Sequence, residues 1–322
     1  TRVLDLRALN TRLLVLAAGW CLAAVAQAAS PLLTPQQLQA ELAKPQAAAQ
    51  LRVIDIRDAK SYAANHIPGA LNAPYGQWRG PADNPGELPP LAKLTALVQG
   101  LGLSPATHAV VVSSGADATD FGASARVYWT LKVLGLKELS VLNGGLQAWS
   151  AAGLPQDAQP AKVAASNYAP QLDTSLIATK QEVLDHVKRG DALLVDARPA
   201  DFFNGEKRAP AAKVPGTLQG AVNVQHDKWF APGSAQLVSG EQAKQVAAQA
   251  HLDGDKETVS FCNTGHWAAT NWFAMSEVLG QKNVKLYPGS MVEWSQDAQG
   301  LPMANVPGRA QQLLIDSKMW ID

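Results

Sequence analysis

Short apolar runs alternate with helical patterns along this chain, and the alternation occurs twice. Val53-Ile-Asp-Ile-Arg57 and His108-Ala-Val-Val-Val-Ser-Ser114 stand in the first half, Leu193-Leu-Val-Asp-Ala-Arg198 and Glu257-Thr-Val-Ser-Phe-Cys262 in the second. Runs this short, rich in β-branched residues and bounded by turn formers, read as buried strands. Between them, Thr34-Pro-Gln-Gln-Leu-Gln-Ala-Glu-Leu predicts a helix with Thr34 as N-cap and Pro35 at the first helical position. Thr179-Lys-Gln-Glu-Val-Leu-Asp-His-Val repeats it, with Glu182 completing a capping box. Buried strands separated by helices predict an α/β fold: two tandem units, each a mostly parallel sheet flanked by helices.

The correspondence extends to the turns. His66-Ile-Pro-Gly-Ala-Leu-Asn72 is echoed by Thr217-Leu-Gln-Gly-Ala-Val-Asn223, and Val141-Leu-Asn-Gly-Gly-Leu-Gln-Ala-Trp149 by Leu286-Tyr-Pro-Gly-Ser-Met-Val-Glu-Trp294. The predicted units span residues 29–154 and 173–305. Residues 155–172, rich in Ala, Pro and Gln and without a periodic apolar face, read as an extended linker. The tail 306–322 carries Leu313, Leu314, Ile315 and Trp320, apolar surface expected to dock on the body.

The N-terminus bears on the chemistry. Arg2, Arg7 and Arg12 precede an apolar run from Leu13 to Ala26, followed by the small residues of Ala26-Gln27-Ala28. Residues 1–28 read as a secretory signal cleaved after Ala26 or Ala28, because the run, at about 14 residues, falls short of a membrane span. The expectation is a periplasmic or secreted protein with no membrane attachment after cleavage. Cys21 leaves with the signal, so Cys262 becomes the lone cysteine of the mature chain, without an intramolecular disulfide partner. No Cys-x-x-Cys or histidine cluster accompanies it, so neither a metal site nor a cofactor is expected. Zero net charge and 47% hydrophobic residues give no pull toward nucleic acid.

Asp-x-Arg closing a strand, His66-Ile-Pro-Gly-Ala-x-Asn, a strand running into Cys262, and Tyr287-x-Gly-Ser-x-x-Glu-Trp294 occur in that order. Together they resemble the tandem-domain rhodanese family, sulfurtransferases of the thiosulfate and 3-mercaptopyruvate type. The resemblance implies a first unit that has lost its cysteine, with Ser114 near the vacated position. It implies a second, catalytic unit in which Cys262 heads the six-residue loop Cys262-Asn-Thr-Gly-His-Trp267. The implied reaction moves sulfane sulfur from a small-molecule donor to a nucleophilic acceptor such as cyanide, through a Cys262 persulfide. A protein sulfur acceptor is a further expectation.

The loop can be read physically as well. A residue between a parallel strand and the next helix lies at the carboxyl edge of the sheet, where open α/β proteins bind ligands. The amides of Asn263, Thr264, Gly265, His266 and Trp267, with Gly265 giving backbone freedom, can ring the sulfur and favour thiolate over thiol. The competing reading is a buried, inert thiol. A cysteine-cradle phosphatase would place an arginine at position 268 to clamp phosphoryl oxygens; Ala268 stands there instead.

Family members that favour thiosulfate carry basic loop residues; those that favour 3-mercaptopyruvate carry small ones and an arginine beyond the second Asp-x-Arg strand. Here that arginine's place is held by Phe202. His266, if protonated, replaces the missing loop cation; if neutral, it supplies a proton to the leaving group. Trp267 offers an apolar wall or fills core. Lys207, Arg208 and Lys213, in the insertion 205–216, read as an anion lid or as solvated charge. His66 reads as a substrate contact or a turn-stabilising residue. Arg57 and Arg198 recur in both halves and are assigned to structural ion pairs, Trp149 and Trp294 to packing. A second functional class stays open at this point: a non-catalytic protein that holds a persulfide or an anion, or relays sulfur to a partner.

Overall fold

The computed structural model describes residues 28–319. The predicted signal, apart from Ala28, lies outside the described residues, as does Trp320.

Each half is built on a parallel sheet. The first has the strand order Leu32–Leu33, Leu139–Leu142, His108–Val112, Leu51–Asp55, Leu71–Asn72, every pairing parallel. The second runs Val284–Leu286, Thr258–Phe261, Leu193–Asp196, Val222–Asn223, again parallel throughout. Ile177 bridges Leu286 in parallel, taking the place that Leu32–Leu33 holds in the first sheet. The strands Leu139–Leu142 and Thr258–Phe261 are buried along their whole length, as expected when helices cover both faces of a sheet. Both predicted caps are present: the Thr34 hydroxyl accepts from the Gln37 amide, and that of Thr179 from the Glu182 amide, each reciprocated by the side chain three residues on.

The repeat is physical as well as textual. Asn72 donates to the carbonyls of Asp55 and Arg57, and Asn223 donates to those of Asp196 and Arg198. Trp149 and Trp294, both buried, donate from their indoles to the carbonyls of Pro155 and Pro302. The linker is extended and strapped to the first half, with Asp157 bridging His66, Ser166 donating to Gln99, and the Tyr168 hydroxyl donating to Leu134.

The halves share one core. Helix Ala118–Val133 of the first packs against helix Trp267–Phe273 of the second, and the Phe121 and Tyr128 rings lie 5.6 and 5.0 Å from the Phe273 ring. The edge of this contact is polar, with the Tyr128 hydroxyl and the Lys132 ammonium both on Glu277. The tail forms helix Arg309–Met319, which buries Ile315 and pairs Asp316 with Arg208. The tail thus docks through Ile315 and Asp316, while Leu313 and Leu314 of the same helix stay 62% and 56% exposed.

Candidate active site

Cys262 follows strand Thr258–Phe261 and precedes the helix that opens at Trp267. It is the free cysteine of the described residues and is 1% exposed. Its own amide donates to the Ser290 hydroxyl at 3.0 Å. The carbonyls from Cys262 to His266 are all engaged by groups outside the loop's interior. Cys262 and Asn263 accept from the amides of Met291 and Val292, and His266 from Ala269. Thr264 accepts from Arg79 at 2.7 Å and Gly265 from Arg126 at 3.3 Å.

In a trans peptide the C=O of one residue and the N–H of the next point in opposite directions. With the carbonyls turned outward, the amides of Asn263, Thr264, Gly265 and His266 turn to the inner side of the loop. Among the described residues none of these four donates a hydrogen bond. Unpaired converging N–H groups form an anion-binding concavity. Gly265 makes it feasible: its φ is +67°, and an added Cβ would stand 2.7 Å from the Arg126 guanidinium and from the Pro288 carbonyl.

His266 is fixed by the first half. Its Nε2 faces the Thr119 carbonyl at 2.6 Å, and its Nδ1 faces the Tyr75 hydroxyl at 2.8 Å. A carbonyl only accepts, so Nε2 carries a proton. Burial pulls the pKa of the ring down from 6.5 to about 4, which leaves it a neutral imidazole near pH 7 with Nδ1 accepting from the Tyr75 O–H. The reading of His266 as a protonated loop cation is corrected on this ground. Trp267 donates to the Thr119 hydroxyl at 3.3 Å, stacks on the His226 ring at 5.1 Å, and meets Phe202 edge-on at 5.9 Å. Burial also lowers the pKa of His226.

Three functional candidates escaped the sequence reading because they come from the half without a cysteine. Arg126, fully buried in helix Ala118–Val133, donates to Gly265, to Gly86 and, at 3.5 Å, to Thr264. Burial, followed by the neighbouring Arg79, pulls its pKa from 12.5 to about 9, so it remains cationic at neutral pH. Arg79 lies over the Tyr75 ring, and burial raises the Tyr75 pKa. A signal was present: Arg126 is a lone charge inside Phe121-Gly-Ala-Ser-Ala-Arg-Val-Tyr-Trp-Thr-Leu131, an otherwise apolar or small run.

The remaining predicted residues divide. Asn263 is buried, and its side chain accepts from Arg198 at 3.2 Å. Thr264 contributes its carbonyl, as above, and Ala268 is fully buried with its carbonyl on the Ser260 hydroxyl. Arg57 and Arg198 make two-pronged ion pairs with Asp55 and Asp196, as expected of structural residues. His66 is a correction. It is fully buried, stacked on Tyr62, with its ring nitrogens on the carbonyls of Tyr62 and Gln159, so it ties down the linker instead of facing the loop. The basic insertion is likewise not arranged as a lid: Lys207 pairs with Asp201, and Arg208 with Asp316 of the tail.

The first-half counterpart of Cys262 is Ser113, one residue before the expected Ser114. Val112 pairs with Asp55 as Phe261 pairs with Asp196, and Ser113 accepts from Leu146 as Cys262 accepts from Met291. There the concavity is filled from within: the Asp120 carboxylate accepts from the Gly115 amide and the Ser114 hydroxyl. Among the described residues no group of three or more His, Cys, Asp or Glu is placed to hold a metal.

Two parallel-sheet units, one with a buried cysteine heading an amide-lined loop at the carboxyl edge of its sheet, define a tandem α/β protein with a candidate nucleophile. The chain belongs to the rhodanese family: the model of the rhodanese-like domain matches residues 34–152 and again 179–297. A thiosulfate sulfurtransferase of Azotobacter vinelandii is 32% identical over 261 residues, 81% of this chain and 92% of that one. A 3-mercaptopyruvate sulfurtransferase of Rattus norvegicus is 28% identical over 288 residues, 83% and 93% of the two chains. The crystal structure of a 3-mercaptopyruvate sulfotransferase from Escherichia coli superposes with a TM-score of 0.70 at 22% identity, covering 81% and 98%.

Proposed function

We propose that the protein is a sulfurtransferase with Cys262 as the sulfur carrier. The observation that carries this reading is the loop: a free cysteine among amides whose carbonyl partners are all engaged elsewhere. The relatives named for sulfur transfer, similar over most of the chain, support it.

The Cys262 thiolate attacks the outer sulfur of the donor. A new S–S bond forms on Cys262, the donor's bond to that sulfur breaks, and the leaving group departs with the electron pair, as sulfite when the donor is thiosulfate. The product, Cys262-S-S⁻, carries its charge into the concavity, where the loop amides accept it without further rearrangement. Cyanide or another nucleophile then bonds to the outer sulfur, and the Cys262 thiolate is released. Donor and acceptor visit in turn, so the kinetics are ping-pong. Neutral His266 supplies no positive charge to an anionic donor. Trp267 closes the loop and is backed by Phe202 and His226, an aromatic cluster that favours a donor with an apolar portion beside its sulfur.

The test is thiocyanate formation from cyanide with thiosulfate and with 3-mercaptopyruvate, on wild type and on Cys262→Ser. Loss of both activities in the serine variant is expected; a variant that still turns over sinks the reading. The sequence features of residues 1–28 further support a periplasmic or secreted location.

A further inference from the structure

Arg79 and Arg126 have no carboxylate partner among the described residues, although Arg126 is fully buried and Arg79 is half-buried. The Nη1 of Arg79 and the Nε of Arg126 are buried and meet no acceptor. The charged or ionisable neighbours that act on Arg126 are Arg79, Tyr75 and Cys262. A cation taken out of water without an anion, as Arg126 is, is costly, and the half-buried Arg79 beside it adds to the cost. Aromatic faces relieve part of this, Arg126 lying 5.1 Å from the Trp129 ring and Arg79 5.2 Å from that of Tyr75. Among the ionisable neighbours Cys262 is the group that, as a thiolate or persulfide, would carry a negative charge opposite the pair.

The route runs through the peptide units. Arg79 and Arg126 bond to the carbonyl oxygens of Thr264 and Gly265, whose peptide partners are the amides of Gly265 and His266 on the inner side. A cation on the oxygen polarises the whole unit and strengthens its N–H as a donor. We propose that Arg79 and Arg126 are positioning residues, supplied by the half without a cysteine, whose charge stabilises the thiolate and persulfide anions of Cys262 through the Thr264 and Gly265 peptides. This rests on the sulfur-carrier reading and adds the source of positive charge that the loop lacks. The half that has lost its cysteine thus keeps a part in the reaction.

The test is the ultraviolet absorbance of the thiolate as a function of pH on the full chain, with Cys262→Ser subtracted as blank. Arg79→Gln is expected to raise the midpoint by about one pH unit, the scale of losing one nearby opposite charge, and Arg79→Lys to restore most of it. Arg126→Gln adds to the shift where it folds; where it does not, the Arg79 series decides alone, with thermal unfolding confirming its fold. The other ionisable side chains facing the loop, Tyr75, His266, His226 and the Asp196–Arg198 pair, are common to all variants and drop out of the comparison. A folded Arg79→Gln whose midpoint stays within about 0.3 units of wild type overturns the inference, as does failure of Arg79→Lys to restore it. Thiocyanate formation separates this from the parent reading: activity lost with an unmoved midpoint refutes the charge role alone, whereas an active Cys262→Ser refutes sulfur transfer at Cys262.

Discussion

Acidification should loosen the two halves through a single ring. His266 is neutral, with Nε2–H on Thr119 and Nδ1 accepting from Tyr75. Its folded pKa, about 4, lies below the ordinary 6.5. For a histidine with a depressed pKa, the stability it contributes is full above the ordinary value and is lost as pH falls toward the folded one. The unfolded chain takes up the proton first. At pH 5 the unfolded ring is almost wholly protonated and the folded ring scarcely so, which costs about 2 kcal/mol of stability relative to pH 7.5, rising to roughly 3 kcal/mol near pH 4. Partial exposure of the ring to solvent makes these upper figures. Urea unfolding at pH 7.5 and pH 5, on wild type and His266→Gln, isolates the effect, since every other titrating group is shared. The wild type should lose about 1–2 kcal/mol more than the variant over that interval. Equal losses, within about 0.5 kcal/mol, would refute the neutral, locked imidazole and with it the account of how the halves are joined.

Two further outcomes are expected. In Gly122→Ala, the new Cβ would stand 2.7 Å from the His266 ring, so the ring must move off Thr119; a net loss of about 1–2 kcal/mol is expected in thermal unfolding, overpacking outweighing the gain in helix propensity. When the full chain is expressed with export intact, mass spectrometry of the secreted or periplasmic product should find an N-terminus after Ala26 or Ala28; an intact residue 1 on exported protein would refute the cleaved signal.

The fold was legible in the sequence because its signals are local. Asp-x-Arg at a strand end, a capping box and a buried strand each announce themselves within a few residues, and their recurrence doubled the signal. The loop was legible for the same reason: Cys262 and Gly265 sit where chain connectivity alone puts them. What failed was set by packing between distant segments. His66 shares a short motif with the second half, yet the linker covers it, and no sequence spacing reveals that Gln159 and Asp157 return to it. For His266 the sequence leaves protonated and neutral open, because nothing nearby in sequence predicts Tyr75 and Thr119 on its two nitrogens. Ser113 was missed by one residue, since only the pairing of Val112 with Asp55 fixes which serine matches Cys262. Arg79 and Arg126 needed the docked halves to acquire meaning, although the isolation of Arg126 among apolar neighbours was visible beforehand.

The Asp120 carboxylate in the first-half loop has a consequence for how the molecule can be probed. Both halves carry a loop built to hold negative charge, but one already contains its own occupant on the following helix, bound to the Gly115 amide and the Ser114 hydroxyl. A soluble anion offered to the protein therefore competes with an internal carboxylate at one loop and with none from the following helix at the other. The silent half becomes an internal reference: a spectroscopic label on each loop should respond to added anions at the Cys262 side and hold steady at the Asp120 side, within one chain and one sample.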